Sequence, residues 1–455
     1  MTARAAGRAL PAPAGLVLVL ATPFLFMHVK YAGGVELSVG SASVSIVVAD
    51  LAVLAVAATG LAVGLRDGFA PLRAARAVWI AAAALLAVIL IATALGKARH
   101  DAYPLADHLV SALKFVEYAA LAPAVALLAQ GRTRLLALGA VASWAAVASS
   151  YGLAQFAGLA GGLDGESRAL LRQPSFLGYE DFNVLSAAAL VIAIAGVATG
   201  AADGTRERAL AWLGGTAGAV GVVLSGGLSG VLGVGAAMLG ALVLARLRGE
   251  LTPRRALGTV ALVSVVLAGT MLMRGNDIQA FFRFLGIEAK HAQTAGQVES
   301  YSQRTLLGYI GLRIFAADPL LGAGWQGSRE EYAYGPQLAA AHARFPDEPL
   351  RAFPSPEHPW GVHNAYVQAL ADMGIVGGVV FTGFFALAIL AGARAAVRAP
   401  PATALVALVP VLWLLALAGL QNGRGIVAGI PLDALLWLAV GLVARTLWEV
   451  DRGEA

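Results

Sequence analysis

Apolar runs of 17 or more residues, divided by short polar segments, fill most of this chain. Each run can cross a hydrocarbon layer of about 30 Å as a helix rising about 1.5 Å per residue. The runs are continuous and do not alternate, which argues against a β-barrel. Twelve spans are expected, at about 14–28, 43–65, 78–96, 110–129, 135–155, 183–200, 210–225, 227–245, 256–273, 375–393, 402–420 and 427–446. The pair 210–225 and 227–245 shares one glycine-rich run, divided only by Ser225-Gly226-Gly227-Leu228-Ser229-Gly230. One long polar stretch breaks the pattern, from about Arg274 to Val362. Within it Tyr301 to Phe315 places Leu306, Ile310 and Ile314 on one helical face, and Asp318-Pro319 with Gly322 and Gly324 ends that helix. Prolines 346, 349, 354, 356 and 359 punctuate the remainder, and a loop this long is usually functional or disordered. The expected organisation is an all-α polytopic membrane protein: spans over 1–273, an extracytoplasmic loop domain with helices over 274–362, and spans over 363–455.

Composition sharpens this. The 455 residues are 59% hydrophobic and 13% charged, about half the roughly 25% charge of soluble proteins. The mean hydropathy is +0.75. With no cysteine, disulfides, thiolate nucleophiles and Cys-ligated metals are excluded. A net charge of +5 would suit nucleic acid, but the excess arginine sits in short loops between spans, where it sets orientation, so no nucleic-acid partner is expected. Arg4 and Arg8 precede the first apolar run as in a signal peptide; the run reads as a retained first span, because no small-residue cleavage site followed by a soluble domain appears. With the N-terminus inside, the inner segments hold 17 basic residues, among them Arg66, Arg73, Arg132, Arg134, Arg246, Arg248, Arg394 and Arg398. The short outer loops hold six: Lys30, Lys97, Arg99, Arg168, Arg172 and Arg424. That asymmetry predicts both termini in the cytoplasm and 274–362 outside.

His363 is the first candidate for chemistry. It opens the segment leading into the tenth span, where free helical N–H groups and the positive dipole end meet the membrane surface. A neutral imidazole there can take a proton from a hydroxyl; the alternative is a capping or interfacial histidine. Arg172, Arg304, Arg313 and Arg424 lie on the outer side, and guanidinium groups match phosphate in a two-pronged geometry; singly, each also suits a lipid headgroup or a local ion pair. The acidic pairs Glu180-Asp181, Glu330-Glu331 and Asp347-Glu348 are adjacent, and neighbours on a regular helix do not converge. His291, His342 and His358 lack metal-ligand spacing, and no Asp-x-Asp pattern occurs in the first outer loops, so neither a metal nor another cofactor is expected. Inside the spans Asp50, Lys114 and Glu117 stand out, with Lys114 and Glu117 placed to neutralise each other three residues apart.

Three blocks resemble a known family. GVHNAYVQALADMGIVGG (361–378) looks like the histidine motif of the O-antigen ligase and O-antigen polymerase superfamily, SQRTLLGYIGLRIFAADPLLGAGW (302–325) like its preceding arginine-led block, and LLRQPSFLGYEDFNVLSAAAL (170–190) like a third. The resemblance covers about the C-terminal two-thirds. It implies a class C membrane glycosyltransferase that takes a glycan from an undecaprenyl-diphosphate carrier outside the inner membrane. A ligase would pass it to lipid A–core, a polymerase to another lipid-linked repeat unit. Carried over by position, His363 is the base, Arg304 and Arg172 hold the donor diphosphate, and Asn364 and Gln368 support the first helical turn; Arg313 and Arg424 are further substrate-binding candidates from their place on the outer side. Two departures stand out: Leu228 occupies a position where the family carries arginine, and the spacing of Phe176, Gly178 and Asn183 is imperfect. A lipid-linked sugar transporter or flippase is the alternative of another class; it would show more intramembrane charge or paired broken helices.

Overall fold

The computed structural model describes residues 13–27, 34–39, 42–161, 172–200, 204–274, 300–426 and 429–453. Arg4, Arg8, Lys30, Arg168 and His291 lie outside them. Eleven of the described helices are long and apolar enough to cross a membrane. The predicted first span is a shorter apolar helix, α1 (Pro13–Leu25). The chain is therefore an all-α multi-pass membrane protein, and the continuous apolar runs are the reason.

Several spans differ from their expected bounds. The second, α2 (Val48–Asp67), starts five residues late, because residues 42–47 pair antiparallel with residues 34–39 as a short hairpin, β1 (Gly34–Val39) and β2 (Ala42–Val47). The alternating Ser and β-branched residues of this segment suit a strand. After α3 (Arg76–Arg99), the fourth span begins early and is broken into α4 (Leu105–Ala119) and α5 (Leu121–Leu128). Pro123 explains the break: its ring conflicts with the carbonyl four residues back, at Ala119. Lys114 of α4 neutralises more than its neighbour, for it pairs with Asp50 of α2 and lies 3.9 Å from Glu117.

The remaining spans before the polar stretch are α6 (Arg132–Phe156), α7 (Tyr179–Thr199), α8 (Thr205–Ser225), α9 (Leu228–Leu247) and α10 (Pro253–Met273). The turn expected at Ser225-Gly226-Gly227 divides α8 from α9. Helix α7 is 94% buried over its apolar window whereas α10 is 22% buried, so α7 is central and α10 faces lipid. Small residues let helices approach in lipid: a methyl group on Gly214 of α8 would lie 2.6 Å from the Ala189 carbonyl oxygen of α7.

In the polar stretch α11 (Ser300–Ala317) buries Leu306, Ile310 and Ile314, the face anticipated from sequence, in a cluster with Phe345, Phe353 and Ala371. Short helices α12 (Glu331–Tyr334) and α13 (Leu338–Arg344) follow. The chain re-enters the apolar region through α14 (Ala365–Arg398), then α15 (Ala404–Leu420) and α16 (Pro431–Asp451). Arginine-rich segments gather at one end of the bundle: Arg134 pairs with Glu449 at 2.5 Å, Arg248 donates to the Ala399 carbonyl at 2.9 Å, and Arg394 and Arg398 flank Asp451. The 300–362 segment caps the other end, where Arg99 pairs with Asp318 and the Tyr103 hydroxyl donates to the Trp325 carbonyl at 2.8 Å.

Helix α14 is interrupted at Gly374, whose φ of 64° and ψ of −164° are not helical. The interruption frees backbone groups that residues 319–324 then satisfy. Ala323 N donates to Ala371 O, Gly324 N to Asp372 O, and Ile375 N to Pro319 O, each at 2.8 Å. The two glycine-bearing blocks of the sequence are thus stitched together through main chain. A side chain at Gly374 would be strained and would collide with the Leu320 carbonyl. Gly374→Ala is expected to cost at least about 1–3 kcal/mol and to lower the thermal unfolding temperature of the purified protein; an unchanged temperature would mean that this docking contributes nothing.

Candidate functional site

The start of α14 is fixed by a side-chain cap. Asn364 Oδ1 accepts from Tyr366 N and Val367 N, both at 3.1 Å, while its Nδ2 donates to Asn422 O at 3.3 Å. His363 immediately precedes this cap. One turn into the helix, buried Gln368 accepts from Ile426 N at 2.6 Å and donates to Asp372 at 2.9 Å. Gln326 donates to the Ile426 carbonyl at 2.6 Å from the other side. Two glutamines therefore hold the 421–426 turn in place. Asn364 and Gln368 support the first turn as expected, and that support extends to the turn carrying Arg424.

A cavity of about 260 Å³ opens between these segments, lined by residues including His363, Arg424, Gln368, Glu180, Arg329 and Trp360. Arg424 Nε lies 2.8 Å from Glu180 and its Nη2 lies 3.1 Å from Asp181. Arg304 Nη2 stands 3.8 Å from Glu180, and a methyl group on Gly423 would lie 3.4 Å from the other terminal nitrogen of Arg304. Arg304, Arg424 and His363 thus share the surroundings of one carboxylate, although 120 residues of sequence separate the two arginines.

The adjacent acids Glu180 and Asp181 correct the expectation that neighbours do not converge. They begin α7, and from the first turn both reach the guanidinium of Arg424. Asp181 is only 1% exposed whereas the Glu180 side chain is 53% exposed, so Asp181 anchors and Glu180 faces the cavity.

The other arginines divide. Arg172 Nε donates to the Ser225 carbonyl at 2.8 Å, and its guanidinium sits 4.5 Å from the Tyr179 ring centroid, one residue from Glu180. It stands beside the cavity without lining it. Arg274 donates to the Gly226 carbonyl at 2.9 Å. The 225–227 turn next to Leu228 therefore receives two guanidinium groups from elsewhere in the chain. Arg313 is not brought to the cavity. It lies nine residues beyond Arg304, about 13 Å along the helix, and donates to Gln337 at 3.1 Å.

Burial pushes the His363 imidazole below its ordinary pKa, Arg304 and Arg424 push the same way, and Glu180 opposes them. The shift favours the neutral form of the ring. Among the described residues no group of three or more His, Asp or Glu forms a metal-ligand set. Sequence reading missed Glu180, Gln326, Arg329 and Trp360 as cavity residues. For Trp360, its place three residues before His363 was the available signal.

Residues 209–382 match a family model described as O-antigen ligase. No curated protein matches the chain.

Proposed function

We propose, for a chain whose residues 209–382 match an O-antigen ligase family model, that it transfers a glycan from an undecaprenyl-diphosphate carrier to a sugar hydroxyl on a glycolipid acceptor such as lipid A–core, on the extracytoplasmic face of the inner membrane. The coarser class is a membrane glycosyltransferase of the ligase and polymerase type. One observation carries the finer reading: a neutral-leaning imidazole shares a cavity with a guanidinium group and stands beside a second. The grouping of arginine-rich segments at the far end of the bundle supports placing the cavity outside and both termini in the cytoplasm.

In this reaction the acceptor O–H gives its proton to His363 as its oxygen forms a bond to the anomeric carbon. The bond from that carbon to the phosphate oxygen breaks, and its electron pair leaves with the lipid diphosphate. A single displacement inverts the anomeric centre. Arg304 and Arg424 neutralise the departing phosphates, and Arg172 reinforces that side. Such preorganised donors are worth roughly 3–4 kcal/mol each where water is scarce. In the resting state Glu180 pairs with Arg424 in the cavity at 2.8 Å and lies 3.8 Å from Arg304 beside it; its exposed side chain is the group a diphosphate would displace.

The test is to mix purified protein in lipid with a diphosphate-linked glycan and candidate acceptors and to look for the joined product. Product with lipid A–core identifies a ligase. Product only with a second lipid-linked repeat unit identifies a polymerase. Movement of the lipid across the bilayer without bond formation would overturn the enzymatic reading. Arg304→Ala should weaken donor binding by about one to two orders of magnitude. Arg304→Lys should restore little of it, because the fork geometry is lost. Donor titrations of the two variants check this.

A further inference from the structure

We infer that the loop-domain wall of the cavity, formed by Arg329 and Trp360, is an acceptor subsite for a sugar ring that carries a phosphate or carboxylate near its reacting hydroxyl. The inference rests on the transfer reaction above and names the chemistry of its acceptor. Five arginines can be compared. Arg304 and Arg424 face Glu180, Arg172 holds the Ser225 carbonyl, and Arg313 holds Gln337. Arg329 lines the cavity, is exposed, and among the described residues has no side-chain hydrogen bond or ion pair. Its backbone is nonetheless fixed. Buried Asp372 accepts from Gln326 N at 3.1 Å and from Ser328 N at 2.8 Å, just before Arg329. A guanidinium with a rigid base and no protein partner is preorganised for an anion that arrives with a ligand.

Trp360 supplies the second feature. It lines the same cavity, with its indole N–H donating to the Arg351 carbonyl at 3.3 Å. Its ring stands perpendicular to that of His363, centroids 6.4 Å apart. A methyl group on Gly361, the residue after Trp360, would lie 3.8 Å from Arg329 Cβ, and both Arg329 and Trp360 line the cavity. His358 stacks on one side of the indole, centroids 5.8 Å apart, and the opposite face offers an apolar surface to the C–H face of a sugar. A pyranose lying on it comes within reach of the imidazole on one side and of Arg329 on the other. The diphosphate belongs to a separate group, Arg304 of the loop domain and Arg424 of the bundle, both facing Glu180.

Ligand-observed NMR titration of the full chain in nanodiscs tests this with four probes: methyl glucoside, its 6-phosphate, inorganic phosphate and undecaprenyl diphosphate. The phosphorylated sugar is expected to bind about tenfold tighter than the neutral one, a difference of about 1.4 kcal/mol. Arg329→Gln should erase that difference and leave undecaprenyl diphosphate binding unchanged. Trp360→Ala should weaken both sugars several-fold, and Trp360→Phe, which guards against a folding defect, should restore most of the loss. Equal binding of the charged and neutral sugars overturns the proposal. So does inorganic phosphate binding as tightly as the phosphorylated sugar, or a loss of undecaprenyl diphosphate binding in Arg329→Gln as large as in Arg304→Ala. The titration involves no turnover, so it is distinguishable from failure of the transfer reaction, which is scored by the absence of joined product.

Discussion

His363→Ala should reduce glycan transfer by about 10²–10⁴-fold, the contribution of a positioned general base, while donor binding and expression persist. The imidazole precedes the capped start of α14 and does not itself make the cap, so its removal leaves the Asn364 bonds to Tyr366 N and Val367 N in place. The pH dependence follows from the direction of the shift. A base works when unprotonated, and burial with Arg304 lowers the pKa of this ring from 6.5. Transfer should therefore stay on its plateau as pH falls through 6.5 and decline only below it. A plateau ending above that value, or full activity in His363→Ala, would remove the imidazole from proton transfer. The pH dependence of kcat/KM for the donor, which reports the free enzyme, gives the measurement.

The bundle was legible in the sequence because lipid imposes one rule on every span: about twenty apolar residues with their backbone groups paired internally. The face of α11 was legible too, since Leu306, Ile310 and Ile314 repeat at helical spacing and are all nearly fully buried. What escaped depended on contacts between distant segments. Gly374 reads as one more glycine in an apolar helix, and only the carbonyls it releases to residues 323 and 324 give it a role. Glu180 and Asp181 looked divergent because a regular helix separates neighbours, but Arg424 approaches the first turn of α7 from a loop more than 240 residues later. Arg313 looked equivalent to Arg304 along the sequence. Nine residues of helix carry it to a different neighbourhood, with Gln337 as its partner.

Arg424→Ala is expected to damage stability and transfer together. Its guanidinium is 15% exposed and faces two carboxylates of α7, one of which, Asp181, is 1% exposed. Removing the cation strands a buried negative charge, a change that costs about 3–5 kcal/mol when a buried pair is broken. The exposed Glu180 adds little to that figure because water screens it. The unfolding temperature in detergent should fall, and transfer should be lost along with the positive charge beside the departing phosphates. The double variant Arg424→Ala with Asp181→Asn separates the two roles. Neutralising the stranded acid should recover most of the lost stability, whereas transfer should stay low because nothing replaces the guanidinium in the cavity. Stability and transfer recovering together would reduce Arg424 to a structural counter-ion for α7. An unchanged unfolding temperature in the single variant would show that the ion pair does not hold the 421–426 turn to α7 at all.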